Sequence, residues 1–400
     1  MSVQTEARNA SLSDLRNLLV DQQARKIDIV APASKIRLVE GDIVISGTNP
    51  ILGDDGVTIA DGIYQPTIVC DEGLADKFNI PLAYVRRLRA ERPDMMDANV
   101  NGWLHGRKAK VRFGSGAEGM STIVDREAIP GDERSFLVRC FRGDEYTKGI
   151  ARAFLSDRYS VMDNLDALTA ALDGVAQAGA PVEIDGCDLT DRRMYVRIKS
   201  PSVQILAPAL LERYRSPFTG QFGSDNPTVF AGFVISNSET GGGAFSIVPR
   251  IIVQVCSNGM TITRDAVRSV HLGGRMDEGI IRWSADTEQK NLSLITAKAR
   301  DAVATFLDTD YLTHVIREIE EKAGKRIEHP MEDVKTVTKR LAFDEATQNA
   351  VFAMFIEGGD ITAGGVMQAV TAAAQQTVDA DKAHDMESLA LRALEFAAAL

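Results

Sequence analysis

Between Leu12 and Arg25 the chain reads LSDLRNLLVDQQAR, with Leu12, Leu15, Leu18 and Leu19 on one face at helical spacing. This predicts a short amphipathic helix. The next stretch, KIDIVAPASKIRLVEGDIVISG, alternates like paired strands. TNPILGDDGVTIADG is rich in Gly, Asp and Asn and reads as loop. Residues 71–96 predict a helix, a break at Asn79-Ile80-Pro81, and a second helix. Pro81 suits the first turn of that second helix. Leu74, Ala75, Ile80, Tyr84, Val85 and Leu88 give the pair an apolar seam, as in a helix-turn-helix.

From residue 103 to about 285 the pattern is mostly of period two. WLHGRKAKVRFG, SFLVRCFRG, PVEIDGCDL, RRMYVRIKS, TVFAGFVIS, AFSIVPRIIVQVC and MTITR are strand-like. Among them GIARAFLSDRYSVMDNLDALTAALDGVAQAG reads as helix on either side of a break. Beyond Trp283 the period becomes helical to the end, with breaks expected at Gly358-Gly359 and Gly364-Gly365. The Ala-rich end, SLALRALEFAAAL, reads as a docking helix or a frayed one. The expected fold is α+β. An N-terminal α/β region (1–100) precedes a β-rich central domain (101–285) and a helical C-terminal region (286–400).

The segment ISNSETGGGAFSIVPRIIVQVCSNGM raises the question of a phosphate loop. Such a loop needs a helix after its glycines. Here strand formers follow: Phe245, Ile247, Ile251, Val253 and Val255 share one face, with Ser246, Arg250 and Gln254 on the other. The expectation is a β-hairpin with a mobile glycine tip. Pro249 has no N–H to donate, which predicts an edge strand or a bulge there.

Composition narrows the chemistry. No apolar run approaches the roughly 18 residues of a membrane helix, and MSVQTEARNASLSDLRNLLV lacks the basic start and apolar core of a signal peptide. A cytoplasmic protein is expected. Cys70, Cys140, Cys187 and Cys256 form no C-x-x-C spacing, and the five histidines form no H-E-x-x-H spacing. Reduced buried thiols, and no metal or cofactor, are expected. No catalytic constellation is visible. Asp157, Asp163 and Asp166 are close enough in sequence to suggest a magnesium-dependent nuclease. The cap reading is preferred: Ser156 and Asp157 suit a turn, and Asp163 or Asn164 the start of the helix NLDALTAALDGV.

The net charge of -11 is unevenly spread: -4 over residues 1–100, +2 over 101–300 and -9 over 301–400. The balanced middle holds three cationic clusters. In RRMYVRIK, Arg193, Tyr195, Arg197 and Lys199 share parity and project from one sheet face. Arg107, Lys108, Lys110 and Arg112 form a second run, and Arg158 with Tyr159 a third. Cations around an aromatic on one face suit phosphate tracking and base stacking along single-stranded DNA. They also suit a solvated face with long side chains over apolar surface. Arg250 joins the candidates from the polar side of its strand. A rival duplex-reading role falls to Arg86, Arg87 and Arg89 on the second helix of 71–96. The same pattern fits an αα-hairpin with a solvated basic face.

FLSDRYSVMDN (154–164), GFVISNSETGGGAFSIVPRIIVQVCSNGM (232–260) and LADKFNIPLAYVRRLRAERPDMMDANVNGWL (74–104) together resemble the phage/plasmid-like protein family, domain of unknown function 932. The resemblance covers most of residues 70–300, and the last hundred residues match loosely. It implies a protein of a mobile element, and a setting in which recombination and replication accessory proteins are common. Single-strand annealing proteins are one such class; they form rings or filaments and hold phosphates in a basic groove. The leading expectation is therefore a non-catalytic, homo-oligomeric single-stranded DNA-binding protein. Its acidic C-terminal region would contact a replication or recombination partner, or shield the groove. A host-interaction regulator is the alternative.

Overall fold

The computed structural model describes residues 4–49, 51–53, 56–58, 60–113, 122–125, 127–143, 147–255, 259–269, 279–280 and 285–400. The chain is α+β, as expected, and is built on two seven-stranded sheets. The first sheet runs β1 (Ala7–Ala10), β12 (Glu183–Leu189), β13 (Met194–Leu206), β14 (Thr228–Asn237) and β15 (Phe245–Val253). Both β16 (Gly259–Thr261) and β17 (Val267–Ser269) then pair with β15. The second runs β18 (Gly279–Ile280), β2 (Lys26–Pro32), β10 (Ser135–Phe141), β11 (Gly149–Ser156), β7 (Gly62–Pro66), β4 (Asp42–Ile45) and β3 (Ile36–Val39). Each sheet mixes strands from the N-terminal and central stretches of the chain, so neither sheet follows the sequence regions divided at residue 100.

Two ribbons complete the described strands. β5 (Ile51–Gly53) with β6 (Gly56–Thr58) lies where loop was expected, and β8 (Lys110–Phe113) pairs with β9 (Thr122–Asp125).

The N-terminal helix α1 (Leu12–Arg25) has the span its periodicity predicts. Ser11 caps it by accepting from the Asp14 N–H, and Leu15 and Leu19 are buried. α2 (Ile68–Phe78), α3 (Leu82–Glu91) and α4 (Pro93–His105) cover one face of the second sheet. The break between α2 and α3 is at Asn79, whose φ of 52° is the left-handed cap that Asn tolerates. Phe78, Phe136 and Phe154 meet there at centroid separations of 4.7 to 6.0 Å. Tyr84, expected in the seam, is exposed instead.

The first sheet packs its apolar face on α5 (Asn164–Ala178) and α7 (Ala285–Phe306). Short α6 (Pro208–Leu211) is followed later by α8 (Thr309–Ala323), α9 (Pro330–Arg340), α10 (Glu345–Gly358), α11 (Ala363–Gln376) and α12 (Ala380–Ala398). Gly359, at φ 69°, ends α10 as expected. Gly364 and Gly365 do not break the chain. They form the first turn of α11, where lack of a side chain lets the helix approach Ala323 and Asp360.

The largest departure from expectation is β11. GIARAFLS is rich in helix formers and lacks alternation, so its period suggested helix. It is an interior strand, antiparallel to β10 and parallel to β7. Both its faces are buried, Phe154 toward α2 and Ala153 and Leu155 toward the opposite side. A strand buried on both sides has no polar face to alternate with.

Candidate nucleic-acid interface

The triple glycine joins β14 to β15 in a hairpin, so the strand-turn-strand reading holds. The tip is not free, however. Ser238 is fully buried; its Oγ donates to the Arg192 carbonyl (2.7 Å) and accepts from the Gly242 N–H (2.8 Å). Thr240 Oγ1 donates to the Asp191 carbonyl (3.0 Å), and the Arg193 guanidinium donates to the Gly242 carbonyl. The polar residues before the glycines thus tie the tip to the β12–β13 turn.

Pro249 is neither at an edge nor in a bulge. β17 pairs with Phe245, Ser246 and Ile247, and β16 with Arg250, Ile251 and Ile252. Proline sits in the gap between the two, where a missing N–H costs no ladder bond. Cys256, Ser257 and Asn258, at the end of the motif, lie outside the described residues.

The segments FLSDRYSVMDN and ISNSETGGG meet β2, β10 and β11 at one buried charge cluster. Arg139, fully buried on β10, donates bidentately to its cross-strand neighbour Asp28 (2.8 and 3.0 Å). It also donates to Asp163 (2.6 Å) and to the Glu239 carbonyl (2.9 Å). Lys26 reaches the second oxygen of Asp163. Arg152 pairs with Glu239 (2.6 Å), whose other oxygen accepts from the Asn164 N–H (2.5 Å). Asn237 donates to the Asn164 amide oxygen (2.9 Å).

Asp163 or Asn164 was expected to cap α5; Asp163 sits at the N-cap but its side chain makes no cap bond. Its carboxylate is occupied by two cations, and Glu239 caps α5 from the hairpin tip instead. Burial pushes the Asp163 carboxyl up, but Arg139 and Lys26 outweigh it and hold the group well below the usual range. Three cations and three carboxylates close a clasp between the sheets. Sequence reasoning missed Arg139 as its hub. The available signal was an arginine inside the apolar run SFLVRCF.

The cationic row is real as geometry. Tyr195 pairs across to Ser236 and on to Ser246, Arg197 to Val234 and Val248, and Lys199 to Gly232 and Arg250. Tyr195, Arg197, Lys199 and Arg250 therefore share one face across three strands, with Arg193 leading into β13. What the sequence did not show is that α12 lies over them. Tyr195, Arg197 and Arg250 retain 4%, 7% and 4% exposure.

Tyr195 donates to Asp381 (2.9 Å) and stacks on the His384 ring, with centroids 3.8 Å apart and planes at 11°. Burial, then the Asp381 charge, pushes its phenol far above the usual range. Arg250 donates to Glu387 (3.1 and 3.3 Å) and Asp185 (2.8 Å). Arg193 lies 3.8 Å from Asp385. Arg197 is held within the sheet by Asp188 and the Asn9 side chain. Asp188 also takes Arg8 (2.7 Å) and His384 (3.2 Å). Burial pushes its carboxyl up, and the His384 hydrogen bond together with Arg197 holds it well below the carboxylate range. At the rim, Arg193 and Lys199 remain partly exposed.

The other candidates are dispersed. Arg107 is exposed and donates to the Glu127 carbonyl at the root of the β8–β9 ribbon. Lys110 opens β8, and its side chain lies outside the described residues. Arg158 is exposed. Its neighbour Tyr159 is half-buried and donates to the Ser238 carbonyl (2.8 Å); burial pushes its phenol up to about 12. On α3, Arg86 pairs with Glu72, Arg87 with Glu91, and Arg89 turns inward to Asp71. The arginines proposed to read duplex DNA thus each have a carboxylate partner.

Asp157 is buried, and Asp163 belongs to the clasp, so these carboxylates do not open onto a shared ion site with Asp166. Among the described residues no group of His, Cys, Asp and Glu is arranged to hold a metal ion, and no helix is long and apolar enough to cross a membrane. Cys70, Cys140 and Cys187 are free and buried, and burial raises each thiol. No family model, curated protein or solved structure matches the chain.

Proposed function

We propose that this chain is a non-catalytic single-stranded DNA-binding protein of the phage/plasmid-like kind it resembles, acting in strand annealing or an allied recombination step. The observation that carries the proposal is the shared face of Arg193, Tyr195, Arg197, Lys199 and Arg250. An aromatic set among cations on one face spanning β13 to β15 matches the two needs of a single strand, stacking and phosphate neutralisation. Arg193 and Lys199 at the rim are the first points a strand would meet. The duplex-reading alternative is less favoured, because Arg89 turns inward to Asp71 and leaves α3 without an aromatic set among aligned cations. Self-assembly in the cytoplasm and a replication or recombination partner belong to the same proposal.

The test is anisotropy of a fluorescent oligonucleotide of about 20 nucleotides, longer than the site of a single binding groove. Binding at low salt should weaken steeply as salt rises. Arg193→Ala with Lys199→Ala should lower affinity about ten-fold and flatten the log–log salt slope by about two. These two side chains are partly exposed, so the fold should be kept. Absence of low-salt binding, or binding untouched by the double variant but lost in Arg86→Ala with Arg87→Ala, would refute the proposal.

A further inference from the structure

The contact between α12 and the first sheet is polar where a docking helix would ordinarily be apolar. Every α12 side chain named above on the cationic row is acidic or imidazole. Asp381 takes Tyr195, Asp385 approaches Arg193 and Glu387 takes Arg250. The His384 ring covers the face of Tyr195 in parallel stacking. Carboxylates stand where phosphates would stand, and a flat heteroaromatic ring stands where a base would stack.

We infer that the first two turns of α12, Ala380–Glu387, are an acidic cover that imitates a nucleic-acid strand and is displaced by one. The inference rests on the single-stranded DNA reading and adds its regulation.

Three further observations support it. The helix is held differently along its length. Ala390, Ala393, Leu394 and Ala397 bury their side chains in the helical core; in the first two turns Met386 joins that core, while the sheet-facing Asp381, His384 and Glu387 are held by ion pairs, a hydrogen bond and ring stacking. A buried ion pair contributes little net stability, because desolvation offsets its Coulomb attraction. Exchanging one set of anions for another is therefore nearly balanced, while pulling apolar side chains from a core is not.

Next, a half-open pocket borders the interface. A cavity of about 380 Å³ lies between the sheet and the α11–α12 pair, lined by Arg197, Arg250, His384 and Glu387 among others. Last, the link into α12 is short and exposed at its middle: Val378 is 89% exposed, with Thr377 bonded back to α11 and Asp379 capping α12 on either side. On this inference the first turns release, giving up Met386 and the Lys382–Asp344 pair, while the larger apolar second half of the helix stays anchored.

The experiment uses the full chain and the labelled oligonucleotide. Asp381→Asn, Asp385→Asn and Glu387→Gln are combined, which removes three charges and keeps side-chain shape. Affinity should rise about ten-fold, a change of about 1.4 kcal/mol. In the wild-type protein, adding oligonucleotide should speed amide exchange in residues 380–387 while 390–397 stay protected. Should the triple variant fail to fold, Asp385→Asn alone, on an exposed side chain, should still raise affinity measurably.

If the wild type binds DNA but the variants bind no tighter and exchange in α12 is unchanged, the cover is refuted while the single-stranded DNA reading stands. If neither wild type nor folded variant binds at low salt, that reading falls and takes the cover with it.

Discussion

Arg139→Ala should destabilise the protein by about 3–5 kcal/mol, the range for removing one partner of a buried ion pair. The magnitude follows from what the guanidinium leaves behind. Asp28 and Asp163, 5% exposed each, would face each other without their shared cation, and the Glu239 carbonyl would lose its donor. Water cannot readily replace a side chain that is fully buried between two sheets. Arg139→Lys keeps the charge but not the fork that bridges both oxygens of Asp28, so it should fall between alanine and wild type. Urea unfolding at neutral pH measures both. A loss within about 1 kcal/mol for Arg139→Ala, the size of a surface pair, would mean that the clasp does not join the sheets.

Acid should unfold the protein through the clasp carboxylate Asp163 and through Asp188 on the cationic row. Asp163 and Asp188 both have folded carboxyl groups held well below their ordinary value by paired cations and donors. A depressed carboxyl contributes stability above its unfolded pKa of about 3.9 and loses it as pH falls from there toward the folded value. The urea midpoint should therefore hold through neutral pH and drop once pH goes below about 4. Each unit of depression is worth about 1.4 kcal/mol. Asp163→Asn should lower the midpoint at neutral pH and shrink the acid-dependent drop. A midpoint that stays level down to about pH 3 would contradict the assignment of these two carboxylates as ionised hubs.

How much of this was legible in the sequence depends on how local each feature is. α1 and the α2–α3 break could be read because one apolar face and one cap residue decide them. The β14–β15 hairpin could be read because its inward residues alternate. β11 could not, since burial on both faces erases the period that distinguishes strand from helix. Parity placed Tyr195, Arg197 and Lys199 together correctly, because that is a property of one strand. Their burial was not legible, because the helix that covers them begins at Ala380, some 180 residues on. The acidic block at the C-terminus was visible as charge, and shielding of a groove was among its expected uses. Its pairing with Arg250 and Tyr195 is a tertiary fact. The Asp163 and Glu239 roles were hidden for the same reason: each is completed by residues of β2, β10 or β11 more than 20 positions away in the chain.

The most direct measurement is photo-crosslinking of a single-stranded oligonucleotide to the full chain at low salt, with the attached peptides identified by mass spectrometry. Cross-links concentrated on β13 around Arg193–Lys199 and on β15 near Arg250 are the predicted result. Cross-links confined to α3, or none at concentrations where a single strand should saturate the protein, would contradict it.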